Sequence, residues 1–119
     1  MSGMQKKNLT QPDETRTFDK GKLELVTLGG VNFGRATLEP GWRWSNDVKP
    51  LAGTDSCEAP HFSYQVSGRL GWHADSGEEF ETTAGEIAYV TGGHDAWVVG
   101  DEPVEVIDWN GATHYAERS

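Results

Sequence analysis

The stretch CEAPHFSYQVSG, Cys57 to Gly68, reads as a strand running into a turn glycine. Side chains alternate between the two faces of a strand, so residues two apart share a face. The even positions Phe62, Tyr64 and Val66 are apolar. The odd positions Cys57, Ala59, His61, Ser63 and Gln65 are small or polar and include the one cysteine of the chain. A strand face turned to water normally carries Lys, Glu or Thr. This odd face carries none of them, so it is expected to line a partly enclosed polar pocket. The aromatic face then packs on a second sheet or on another subunit. The alternative is the reverse, an aromatic core face with the odd face in solvent.

The segments on either side have the same short rhythm. KLELVTLGG alternates and stops at Gly29 and Gly30, and VNFGRATLEPG alternates and ends at Pro40-Gly41. WRW is short and aromatic. SNDVKPLAGTDS reads as a twelve-residue polar loop. LGWHADSGEEFETT reads as a hairpin turning at Ser76-Gly77, and GEIAYVTGG, DAWVVGDEP and VEVIDWNG supply further strands. No segment holds the i, i+3, i+4, i+7 apolar spacing of a helix for long. About nine short strands with regular turn signals predict an all-β sandwich or barrel. One domain is expected over residues 16–112, with a polar tail or arm over 1–15 and a short tail over 113–119.

The totals exclude several classes of function. The 119 residues carry a formal net charge of -9, so no basic face is available for a nucleic-acid backbone or an anionic membrane. A single cysteine allows no internal disulfide and fits a reducing compartment. No hydrophobic segment follows the opening MSGMQKKNLT, so a cytoplasmic location is expected.

The order of these signals resembles the cupin family of small double-stranded β-helix (jelly-roll) barrels. YQVSGRLGW and AGEIAYVTGGHDAW are similar to the bodies of its two motifs, and the resemblance runs from about Leu23 to Asn110. It implies a metal site of three histidines and one glutamate, and here this chain departs from the pattern. Counted back from Gly68, the glutamate position is His61, and the two histidine positions are Asp55 and Cys57. The third histidine position is Ala96, with His94 two residues earlier on the same face.

Cys57, His61 and His94 are therefore the expected ligands of a divalent metal. One thiolate with two imidazoles suits zinc and leaves a position open for water or substrate. Asp55 or Asp95 is the candidate catalytic base, fourth ligand or histidine-orienting group. Gln65 and Tyr89 are candidate hydrogen-bond donors into the pocket. Trp42, Trp44, Trp72 and Trp97 are candidate walls, with core packing as the alternative. Arg43 is a candidate for an anionic ligand, with a surface ion pair as the alternative. His73 has the parity of a surface residue, and His114 lies in the tail. The expected function is metal binding inside the barrel, acting on or sensing a small organic molecule. The alternative is a metal-free ligand-binding or structural cupin. The resemblance also implies a homodimer, with the FSYQV face and the N-terminal arm as candidate interface.

Overall fold

The computed structural model describes residues 3–109. The expected tail over 113–119, with His114, lies outside them. Nine strands, β1 Glu14–Phe18, β2 Gly21–Leu28, β3 Val31–Leu38, β4 His61–Ser67, β5 Arg69–Ala74, β6 Glu79–Thr83, β7 Ile87–Val90, β8 His94–Val98 and β9 Val104–Asp108, occur among the described residues. They form two antiparallel sheets: six strands in the order β1-β2-β3-β9-β4-β7, and three in the order β6-β5-β8. This is the all-β architecture that the turn spacing predicts, in the jelly-roll form that the cupin resemblance implies.

The alternation within each strand decides what lies between the sheets. His61, Ser63 and Gln65 of β4 are buried while Phe62, Tyr64 and Val66 are about 40% exposed. In β8 the buried positions are His94, Ala96 and Val98, and in β9 they are Val104, Val106 and Asp108. The inward face of β4 is thus the polar one. A main cluster of buried side chains, among them Leu38, Trp42, Trp44, Leu70, Trp72 and Val104, fills the space between the sheets. Leu23 and Leu25 form a second, smaller cluster, and Phe18 and Ala36 pack against both. Gly68 links β4 to β5 with φ at 76°, and a Cβ there would sit 2.5 Å from the Pro103 carbonyl oxygen. Only glycine satisfies both conditions.

Three local readings differ from the structure. The twelve-residue loop holds two single-turn helices, α1 Trp44–Asp47 and α2 Lys49–Ala52. Four residues are too few to display a helical period, which is why the pattern is silent there. The turns form because Asp47 accepts the Arg43 backbone N–H at 2.9 Å, Pro50 sits at the start of α2, and Gly53 closes it in the left-handed conformation. Trp44 and Val48, one helical turn apart, both go into the core. WRW is not a strand: Arg43 alone forms an isolated bridge, with Trp97, while Trp42 and Trp44 are buried. Glu14–Phe18, partly assigned to the tail, pairs with β2 over five residues.

Candidate metal centre

Cys57 precedes β4, and its backbone is tied to β8. Its N–H donates to the His94 carbonyl at 2.8 Å, and its carbonyl accepts from Gly93 at 2.7 Å. This bridge places the cysteine beside the first residue of β8. His61, the first residue of β4, reaches the same point from the opposite sheet. One ligand atom from each of Cys57, His61 and His94 lies within 4.8 Å of the others, and all three residues are buried. The Cys57 Sγ to His61 Nε2 distance is 3.8 Å. Two ligands on a tetrahedral zinc, at ordinary Zn–S and Zn–N lengths, stand about 3.6 Å apart. The spacing fits a shared ion.

The outer nitrogens of both imidazoles are committed. His61 Nδ1–H donates to the Asp108 carboxylate in a short buried contact. His94 Nδ1–H donates to the Thr91 carbonyl oxygen at 2.8 Å. Each partner selects the tautomer whose Nε2 carries the lone pair, the arrangement common behind metal-bound histidines. The two imidazoles and the Trp72 indole meet pairwise at centroid distances of 5.0 to 5.7 Å, which restrains both rings.

Charge in the site is coupled. Burial pushes the Cys57 thiol up, but hydrogen bonds and charge from His61 and His94 outweigh it and bring it down to about 7. Burial pushes His61 down, but Asp108 and the Cys57 sulfur reverse this and raise it to about 9. The ligand-free cluster therefore favours a thiolate beside an imidazolium.

The three donors open on a cavity of about 40 Å³, a few water positions in size. Its apolar wall includes Leu23, Leu38, Trp44, Leu70, Trp72 and Val106. Trp42, Ser63, Ala96 and Asp108 also line it.

The other expected site residues are distributed differently. Trp72 is on the cavity wall. Gln65 is buried but lies outside the lining, where it accepts from the Thr82 hydroxyl at 3.1 Å. Tyr89 is 62% exposed on the outer face of β7. Trp97 has the outward parity of β8, with the Arg43 guanidinium 4.6 Å from its ring centre. Arg43 also pairs with Asp95 at 3.2 Å, so it is turned away from the cavity.

Neither Asp55 nor Asp95 joins the donors. The Asp55 side chain is fully exposed and pairs with Lys49 at 3.6 Å. Asp95 follows His94 and so faces outward, where it accepts the Ser45 N–H at 3.0 Å and anchors the start of α1. The histidine-orienting carboxylate is Asp108 instead. A signal for it exists in VEVID: Val104, Val106 and Asp108 share one parity, which puts a carboxylate on a core face. Ser63, on the odd face expected to line the pocket, does line it.

Two antiparallel sheets packed around a buried cavity give this chain the cupin fold. A cupin-like protein from Thermotoga maritima superposes with a TM-score of 0.56 at 12% identity, covering 82% of this chain and 73% of that one. Oxalate decarboxylase from Bacillus subtilis gives 0.55 at 22% identity, over 87% of this chain and 28% of that one. An 11S allergen from Cocos nucifera gives 0.60 at 19% identity, over 92% and 35%. The chain thus spans about a third or less of the latter two proteins. No family model matches the sequence, and no curated protein matches it. No helix among the described residues is long and apolar enough to cross a membrane.

Proposed function

We propose that this protein holds a divalent metal ion through Cys57, His61 and His94, zinc being the ion that the donor set favours, and acts there on a small organic molecule. The observation that carries this reading is the commitment of both Nδ1 atoms to Asp108 and Thr91, which turns both Nε2 atoms toward the Cys57 sulfur in one buried cavity. Three protein ligands with an open side are the pattern of a catalytic rather than a structural zinc site. A metal ion bound there supplies Lewis acidity. The chain supplies the rest. Asp108 orients His61, Trp72 restrains both imidazoles, and the apolar wall strips water from an occupant.

A sensing role is the second reading. Asp108 is the sole carboxylate among the described residues lining the cavity, and it is already engaged by His61. An enzyme needs a proton-transfer group within reach of its substrate. Binding requires only shape and a few polar contacts.

The partner proposed for the outer surface is a second copy of the chain. Phe62, Tyr64, Val66, Ile87 and Tyr89 are exposed on adjoining strands, with Phe62 opposite Tyr89 and Tyr64 opposite Ile87. This patch has no formal charge on a chain of net charge -9, so copies can meet there without like-charge repulsion.

Elemental mass spectrometry of tag-free wild type and Cys57→Ser tests the metal reading. Stoichiometric metal in the wild type, lost in the variant, is the expected result. No metal in either protein after reconstitution overturns it and leaves a metal-free binding or structural role.

A further inference from the structure

The cavity carries two polar groups that the metal reading does not use. Trp42 is 2% exposed and lines the cavity, and its indole Nε1–H is buried with no hydrogen-bond partner among the described residues. A buried unpaired donor is costly, so it marks a place where an acceptor belongs. Ser63 is 4% exposed, lines the same cavity and makes no side-chain hydrogen bond among the described residues. It follows His61 by two residues on the inward face of β4, about 7 Å further along the strand.

The charge balance limits what can enter. A divalent ion held by one thiolate and two neutral imidazoles leaves one net positive charge at the ion, which the more distant Asp108 carboxylate behind His61 reduces without cancelling. No Lys or Arg lines the cavity among the described residues. A second negative charge on an occupant has no cation to meet, and burying an unpaired charge is strongly unfavourable.

We infer that the occupant is a compact, mostly apolar molecule with a single acceptor group, neutral or at most singly anionic, which takes the Trp42 indole N–H and meets the Ser63 hydroxyl. Dicarboxylates are excluded. This rests on the metal reading and deepens it: Trp42 is the specificity residue and Ser63 its companion.

Four-carbon probes separate acceptor chemistry from size. Butyramide, butyrate and succinate are titrated into the cobalt-loaded full chain, followed by calorimetry and by the visible bands of cobalt, after metal stoichiometry has been measured. Expected are binding of butyramide and butyrate, succinate at least about tenfold weaker, and a loss of roughly tenfold for butyramide in Trp42→Phe at unchanged cobalt content. Succinate binding as tightly as butyrate, no probe binding, or unaltered affinity in Trp42→Phe overturns the inference while leaving the metal reading intact. Failure to load cobalt overturns both. If Trp42→Phe does not fold, the ranking of probes on the wild type, together with Ser63→Ala, decides the matter.

Discussion

His61 and Asp108 meet across neighbouring strands of the six-stranded sheet, in a buried hydrogen bond from the imidazole Nδ1 to the carboxylate. In the β4–β9 register Asp108 stands opposite Ser63, which makes it the diagonal neighbour of His61. Such diagonal pairs are within reach of longer side chains. Removing the carboxylate charge while keeping the shape, Asp108→Asn, is expected to weaken metal binding about 10–100-fold. A competitive chelator titration reads this directly. Wild-type affinity in the variant would show that the pair is structural only.

His61→Ala is expected to abolish metal retention altogether, since it removes the ligand that carries the Asp108 contact. The assay is elemental analysis after gel filtration, with circular dichroism as the check on folding. Unchanged occupancy in a folded variant places the metal elsewhere.

Metal affinity is expected to fall on acidification. With His61 raised to about 9, the empty site keeps that proton at neutral pH, and the ion must displace it. Below about 7 the Cys57 thiol is protonated as well, and a second proton must leave. Each released proton makes the apparent Kd about tenfold weaker per pH unit. The slope is therefore about one decade per unit between 7 and 9, approaches two below 7, and flattens above 9. Affinity that does not change between about pH 6 and pH 8 contradicts the ligand set.

Asp95→Ala separates stability from binding. The Asp95 carboxylate accepts from Ser45 at the start of α1 and pairs with Arg43. Its loss is expected to cost about 1 kcal/mol in denaturant unfolding, comparable to removing a helix cap, with metal stoichiometry unaltered. A metal-deficient Asp95→Ala would restore this residue to the site.

Ile87→Glu tests the outer face. Ile87 is 64% exposed opposite Tyr64 in the β4–β7 pair. Light scattering is expected to give a dimer for the wild type and a monomer for the variant, because the charge falls in the neutral patch. A monomeric wild type removes the proposed second copy.

The alternation of small and polar against aromatic side chains in Cys57–Gly68, with turn glycines at regular spacing, was enough to read an all-β sandwich or barrel and the inward face of β4, while the jelly roll rests on the resemblance to the cupin family. Strand periodicity is a local property, carried by neighbouring residues, and so it is legible from the chain. The same holds for His94 and Ala96, two residues apart on one face. The single-turn helices were not legible, because four residues are too few to show a helical period, and the first is also anchored by Asp95, some fifty residues away in sequence.

Tertiary structure alone decided which carboxylate serves His61. Asp55 and Asp95 adjoin the donors in sequence, yet one is in solvent and the other has the outward parity of β8. Asp108 is 47 residues from His61, and only the pairing of β9 with β4 brings it there. The same is true of the Trp42 indole N–H, which has no partner among the described residues. The chain by itself determines which side chains share a face. What those faces meet depends on strand pairing and sheet packing, which join residues that no local pattern connects.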